Sequence, residues 1–517
     1  MKDISRSEFR ADALEAHTSF LSDDLLQGRP TGSTEERIAA RYVATQLRLV
    51  GVTDVVTQRV PLRESTVNVK ESFMKVGGSA SDVLQYAADY VFLGRPGDEH
   101  HTLQAPVEFA RFGISDADLG WDDYKELDVR DKIVIVLFGV PTNVDWPANR
   151  AAYYTSFEYK VSNAIAHGAA GVLIGWTDSI DRMWPWTVYV ANSTRLDWLD
   201  TDGEPAPAST RNYYLGSLSQ QGLHKMLDGA NGDDAVVRKY IAGIHPGDVP
   251  IGVRANSVEL RIVTQHKDLE SQNVVARIPG GDPALAQEHI VVTAHIDGQG
   301  VSSEPSGDVV RNGAVDNAAG VAVLLEIARA FGKLTQAQSR SVVFVATTGE
   351  ERGHVGANYF VHNFERGSIS AAVNIDEPVV IFRPADIVAR GFEHSTLGLI
   401  AQSAAKRLDF EVSPDPQPEE AFLIRGDSFE FIKAGIPSLW LMSGFQPVAP
   451  SIDGERVLRE WRRTRYHQPS DDMNQGLDFT ACAEFAELNF SIVLDIANTQ
   501  SAPRWNRDDF FGQLIQQ

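Results

Sequence analysis

Hydrophobic and polar positions alternate with different periods along the chain. Near the N-terminus the period is helical. Ile38, Tyr42, Val43, Leu47 and Val50 follow near 3.6-residue spacing, and Gly51 closes the run. Ser33 with Glu36 three residues on reads as a capping box. Residues 8–50 are therefore expected to be helical, with an amphipathic face that needs a sheet to cover. From about 75 to 250 the texture changes to short β-like runs broken by Gly, Pro, Asp and Asn. Residues 133–138 and 171–175 read as buried strands and 160–168 as a short helix, with Trp184, Pro185 and Trp186 in a loop.

From 272 onward strands and helices alternate. Strands are predicted at 290–294, 341–346, 371–375 and 436–442. Helices are predicted at 318–331, 356–363, 397–407 and 428–433, the last closed by Gly435, and finally from about 479 to 498. Continuous apolar strands alternating with helices imply an α/β fold with a mostly parallel mixed sheet sandwiched by helices. At 517 residues the chain is too long for one core, so more than one structural unit is expected. No internal repeat and no low-complexity tract is present.

In open α/β sheets ligands bind beyond the carboxyl ends of the strands. His295-Ile296-Asp297 follows the first of these strands, Thr347-Thr348-Gly349-Glu350-Glu351 the second, and Asp376 the third. Tyr466-His467 lies beyond the fourth, and Asp316-Asn317 sits between the first strand and its helix. Each residue type suits a metal centre. His295 and Asp297 are two apart, so in extended chain they point the same way. One can bind a metal while the other fixes its ring. Asp316 precedes a helix, where a lone Asp is ordinarily an N-cap. Glu350 and Glu351 are adjacent and diverge, so one can bind metal while the other faces a substrate. Singly, each of these patterns is common. Five potential ligands in order at strand ends and a helix start are hard to explain as surface decoration. By contrast, His100-His101 reads as an exposed loop pair with no fixed spacing to other ligands.

Composition narrows the partners. Lys and Arg number 47 and Asp and Glu 70, a formal charge of −23. That excludes nucleic acid or an anionic membrane as the main partner, because both select positive patches. No apolar run approaches the length of a membrane span. Cys482 is the single cysteine, which rules out an internal disulfide and a cysteine metal site and reads as packing. The start, Met1-Lys2-Asp3-Ile4-Ser5, lacks the apolar core of a signal peptide. Localisation is left between cytoplasmic and, where a presequence has been removed, secreted or periplasmic.

The motifs also resemble a known family. His295-x-Asp297, Gly313-Ala314-x-Asp316-Asn317-Ala318-Ala319-Gly320-Val321, Glu350-Glu351-x-Gly353, Asn374-x-Asp376 and Tyr466-His467-x-x-x-Asp471 look like metallopeptidase family twenty-eight. That family holds bacterial leucyl aminopeptidases, glutamate carboxypeptidase and glutaminyl cyclase. The resemblance covers roughly 272–500, and Asp24-Leu25-Leu26-Gln27-Gly28-Arg29 with Thr31-Gly32 is similar to the family's first helices. The middle region resembles a protease-associated domain through Gly113-Ile114, Tyr124, 131–134, Lys160-Val161 and 168–172. The resemblance implies a peptidase domain at 1–74 and 255–517, with a β-rich protease-associated insert at 75–254. It implies two Zn²⁺ ions. Asp316 would bridge them, His295 and Asp376 would complete one site, and Glu351 and His467 the other. Glu350 would be the general base, Asp297 would hold His295, and Tyr466 would polarise the scissile carbonyl. His354 and Ala357 stand where the family usually has Leu and Ser.

The implied activity is a zinc-dependent exopeptidase on a peptide or amino-acyl substrate, with an aminopeptidase favoured. A glutamate carboxypeptidase, a glutaminyl cyclase, an inactive receptor or scaffold, and a binding module remain alternatives. A related di-zinc group places a lid domain between the last Asp and His, but here a helix and a strand already occupy part of that stretch. The arginines Arg456, Arg459, Arg462, Arg463 and Arg465 are either a carboxylate-binding patch or a solvated helix face. Trp184–Trp186 and Gly444-Phe445-Gln446-Pro447 are candidate pocket walls or ordinary packing.

Overall fold

The computed structural model describes residues 8–78, 84–206, 211–229, 234–247, 251–253, 255–302 and 307–514. The chain forms two compact units. One comprises Met1–Val60, Glu270–Pro416 and Arg425–Gln517, the other Pro61–Leu269 and Gln417–Ile424. The sequence places boundaries near 75 and 254; the division of the structure runs instead through two long strands, Asp54–Val67 and Ala255–Ile278.

The first unit is a mixed α/β sandwich. Four parallel strands lie in the order Ser341–Thr347, Glu288–His295, Ser368–Ile375, Ser438–Ser443. The sheet turns antiparallel at both flanks. Residues 274–278 pair antiparallel with Ser341–Thr347, and Asp386–Arg390 runs antiparallel to Ser438–Ser443 with Glu411–Ser413 parallel beside it. Side chains alternate between faces as a pleat requires. Ile290, Val292, Ala294, Val342, Phe344, Val373 and Ile375 enter the larger core, whose helices are Ala11–Leu21, Thr34–Leu49, Gly320–Gly332, Leu397–Arg407 and Phe479–Asn498. Val291, Val343, Val345 and Ala372 face the other way, against Ala357 and Phe360 of Val355–His362 and Phe431 of Ser428–Lys433. Cys482 is fully buried in the larger core.

The predicted N-terminal cap is present with one change. Ser33 Oγ accepts the amide of Glu36, but Glu36 reaches back to the amide of Gly32, not Ser33. The carboxylate is drawn inward, where it also accepts from Ser271 and Thr348.

The second unit is built on a five-stranded sheet ordered Tyr90–Phe92, Tyr214–Leu218, Gly171–Gly175, Ile133–Leu137, Val107–Phe109. Only the edge strand Tyr90–Phe92 is antiparallel to its neighbour. The helix Phe157–Ala166 packs Val161 and Ala164 into its core. Lys160 of that helix is fully buried, its ammonium donating to the carbonyls of Phe112 and Gly139. Two sequence expectations are corrected here. His100 and His101 open the strand His100–Ala105, paired with Val263 and Ile262, and are not a loop. Trp184 and Trp186 flank a break between the helices Asp178–Met183 and Trp186–Ala191. Their rings pack with Trp176 and Tyr189, which makes them packing residues of the second unit. Among the described residues no helix is long and apolar enough to cross a membrane.

Candidate metal centre

Strand register sets the site. His295 is the last residue of its strand and lies level with Thr347, while Thr293 lies level with Asn374. The chain segments carrying His295, Glu350 with Glu351, and Asp376 thus leave the sheet along one edge, as the strand-end reading expects. Asp316 arrives by a different route. It does not cap a helix. It sits at φ −111°, ψ 87° within Ala314–Ala319, ahead of the helix Gly320–Gly332. Gly313 permits the approach, at φ 59° and with its backbone so close to the Asp316 carbonyl that a Cβ would lie 2.2 Å from it.

Two groups of ligand-type side chains result, His295 with Asp316 and Asp376, and Asp316 with Glu351 and His467. In each group the ligand atoms lie within 4.8 Å of one another. Asp316 is shared. Its Oδ1 is 3.1 Å from His295 Nε2, and its Oδ2 is 3.1 Å from His467 Nε2. His295 Nε2 is 3.2 Å from Asp376 Oδ1, and His467 Nε2 is 3.2 Å from Glu351 Oε2. The other ring nitrogen of His295 lies 3.2 Å from the carbonyl oxygen of Asp297 and 3.7 Å from its carboxylate. The strand ends before Asp297, whose carboxylate accepts from Thr31 Oγ1 at 2.9 Å and from the amide of Glu350 at 3.1 Å.

Residues the sequence did not single out complete the frame. Asp471 accepts the amides of Val315 and Asp316 at 3.0 and 3.1 Å, and so holds the Asp316 backbone from beneath. Arg29 is buried and donates to the carbonyls of Ile296, Asn312 and Gly313, tying the His295 and Asp316 segments together. Gln299 donates to Glu351 Oε2 at 2.5 Å. No periodicity marks these positions. Asp471 falls within one quoted motif and Arg29 ends another, but neither was given a role there.

Glu350 turns away from Glu351. Its Oε1 lies 3.5 Å from His354 Nε2, and the other nitrogen of His354 lies 3.5 Å from Glu430. Burial pushes the Glu350 carboxyl well above the usual range, and Asp376, Glu351 and Asp427 add to the rise, while His295 opposes it. Tyr466 stacks on His467 with ring centroids 3.7 Å apart, and the Arg462 guanidinium lies over the Tyr466 ring, 4.3 Å from its centroid. Arg462 in turn binds Glu377 through both carboxylate oxygens, at 3.1 and 2.6 Å. Arg456 pairs with Glu460 and Arg459 with Glu455 on their own helix, Gly454–Thr464. Phe445 packs with Phe382 and Trp461 in a small apolar cluster, and Gln446 is fixed through its amide on Asp386.

These residues fit divalent cations. Two imidazoles and three carboxylates are a nitrogen and oxygen donor set suited to zinc. Glu351 Oε1 is buried without a hydrogen-bond partner, a costly arrangement unless a cation meets it. The gathered carboxylates also demand positive charge. Burial pushes His467 down, but Glu351 and Asp316 outweigh it and hold the ring up to about 10. His295 is likewise raised well above its usual value by Asp376, Glu350, Asp297 and Asp316 against the effect of burial.

Residues 273–493 match the model of Peptidase family M28. A segment of 156 residues, 30% of the chain, is 28% identical to "Putative endoplasmic reticulum metallopeptidase 1" of Schizosaccharomyces pombe and covers 17% of it. A segment of 262 residues, 45% of the chain, is 23% identical to "Probable zinc metalloprotease" of Pyrenophora tritici-repentis and covers 53% of it. The chain thus spans about half or less of these curated relatives. Among solved structures, an aminopeptidase from Aneurinibacillus sp. strain AM-1 shares the fold with TM-score 0.52 at 20% identity, over 97% of this chain and 96% of that one.

Proposed function

We propose that this chain, whose residues 273–493 match the model of Peptidase family M28, is a two-zinc aminopeptidase of that family. The observation that carries the proposal is the division of Asp316 between two imidazoles, one carboxylate oxygen to each. One ion would be held by His295, Asp376 and Asp316, the other by Asp316, Glu351 and His467. When bound, the ions supply Lewis acidity toward a carbonyl oxygen and toward water. The chain's own groups do the rest. Glu350, with a side chain largely shielded from solvent, accepts the proton of the attacking water and passes it to the departing amine nitrogen as the C–N bond breaks. Tyr466 donates its hydroxyl to the developing oxyanion. Asp297 fixes the segment that carries His295 and the amide of Glu350.

Attack at the amino end is favoured by the state of the arginines. A carboxypeptidase needs an Arg or Lys for the terminal carboxylate, and Arg462, beside Tyr466, is already taken by Glu377. The Aneurinibacillus protein, whose fold is shared, is an aminopeptidase by name. The insert is assigned to the protease-associated type by its sequence resemblance.

The test is a panel of amino-acid p-nitroanilides, N-blocked peptides and γ-glutamyl peptides, with and without chelator. Chelator-sensitive release from free amino ends is expected. Cleavage confined to N-blocked or γ-glutamyl peptides would overturn the amino-end reading, and no hydrolysis of any would overturn the enzyme. Glu350→Gln is expected to keep two zinc ions per chain while losing about 10²–10⁴-fold in kcat. Full activity in that variant would remove Glu350 from its role.

A further inference from the structure

We infer that His354 is a positioning residue for Glu350, an imidazole strut that holds the carboxylate from one side and is braced by Glu430 on the other. The inference rests on the reading of Glu350 as the proton acceptor. The geometry is a line of three side chains. Glu350 Oε1 meets Nε2 of His354 at 3.5 Å, and Nδ1 of the same ring meets Glu430 Oε1 at 3.5 Å. Among the described residues His354 is the one ion-pair partner of the Glu350 carboxylate.

The backbone is shaped to make this contact. The amides of Gly353 and His354 both close on the carbonyl of Glu350, each at 3.0 Å. His354 itself is left-handed at φ 57°, and the helix Val355–His362 starts immediately after it. The chain therefore doubles back and returns the ring of His354 over the side chain four residues earlier. The far end of the strut is fixed as well. Glu430 is buried, accepts from Asn358 Nδ2 at 2.6 Å and pairs with Lys433 at 3.0 Å. Glu350 needs such a partner. A carboxylate that receives a proton from water works only in a narrow range of orientations, and a free side chain would sample several rotamers. Its amide is held by Asp297, which fixes the backbone but leaves the side-chain torsions open. His354 closes that freedom, and among the described residues its ring forms ion pairs with Glu350 and Glu430 rather than with the groups that would hold metal.

The experiment compares kcat, KM, zinc per chain and melting temperature for the full chain and for His354→Leu, His354→Gln, Glu430→Gln and the His354→Leu/Glu430→Gln pair. His354→Leu is expected to lower kcat by about 10–100-fold, the range for groups that orient others at such sites, with KM and zinc content unchanged. His354→Gln, which keeps an N–H donor, is expected to regain part of that loss. Glu430→Gln is expected to lower kcat in the wild-type background and to change nothing further in the leucine background, because it acts through the ring. An unchanged kcat in His354→Leu, or a Glu430→Gln effect of equal size in both backgrounds, overturns the inference. An inactive wild-type chain would instead remove the proposed function. In that case the strut is read from thermal unfolding, as non-additivity between His354→Leu and Glu350→Gln, and strict additivity overturns it.

Discussion

Asp471 shows how single side chains hold the site from outside it. It is buried, and its carboxylate accepts two successive amides just where the chain delivers Asp316. Asp471→Ala leaves both amides buried and unpaired, at about 1–3 kcal/mol each. A loss of roughly 2–6 kcal/mol in urea unfolding is expected. Asp471→Asn keeps one acceptor and is expected to lose about half. Equal stability of the alanine variant would show that water replaces the carboxylate. Glu430 gives a pH signature. Burial pushes its carboxyl up, but Lys433, His354 and Asn358 outweigh that and bring it from 4.5 to about 2. A depressed carboxyl stabilises the fold above its unfolded value, and the contribution fades as pH falls from 4.5 through about 2. It is on the order of 3 kcal/mol. Glu430→Gln is expected to flatten the loss of stability over that window, measured by urea unfolding at a series of pH values. Residues at strand ends were legible in the sequence because apolar runs pointed to them. Gln299 was not, and Arg29 stood only at the end of a quoted segment, without a role. Arg29 finds its acceptors at Ile296, Asn312 and Gly313, and nothing local to residue 29 encodes partners so far along the chain.

At the scale of elements, periodicity did most of the work. The helices Leu397–Arg407, Ser428–Lys433 and Phe479–Asn498 lie where apolar spacing and caps placed them. Gly320–Gly332 is apolar nearly all round because it is buried nearly all round. Leu324 on it is fully buried, whereas Leu399 on Leu397–Arg407 is 71% exposed. Leu324→Ala is expected to cost about 2–5 kcal/mol and Leu399→Ala to stay within about 0.5 kcal/mol. Similar losses for the two would mean that the helix does not sit in the core. Elements without strong periodicity escaped the sequence reading. Asp386–Arg390 is a short strand whose place is set by antiparallel pairing with Ser438–Ser443, a tertiary choice. The predicted 318–331 helix is observed as Gly320–Gly332, and just ahead of it, within Ala314–Ala319, Asp316 and Asn317 leave helical geometry.

For the whole molecule, the charge of −23 excluded partners but did not identify the reaction. Position is more informative, because a few acidic groups are concentrated at one sheet edge of the first unit. The second unit has its own sheet and its own core, and contributes none of the five residues in the two ligand groups. Metal binding should therefore stabilise the two units unequally. A cation that binds only the folded site adds RT ln(1 + [L]/Kd), about 4 kcal/mol at a thousandfold excess over Kd. For a unit of this size that is roughly 6 °C in melting temperature. Differential scanning calorimetry with chelator is expected to lower the transition of the first unit by that order and to leave the transition of the second in place. The shift should vanish in an Asp376→Ala/His467→Ala variant, because one ligand of each group is then gone and neither ion remains to be removed. If the chelator still lowers the transition of that variant by the same amount, the cation it removes sits elsewhere, and the pairing of the groups through Asp316 does not account for the stability of the unit.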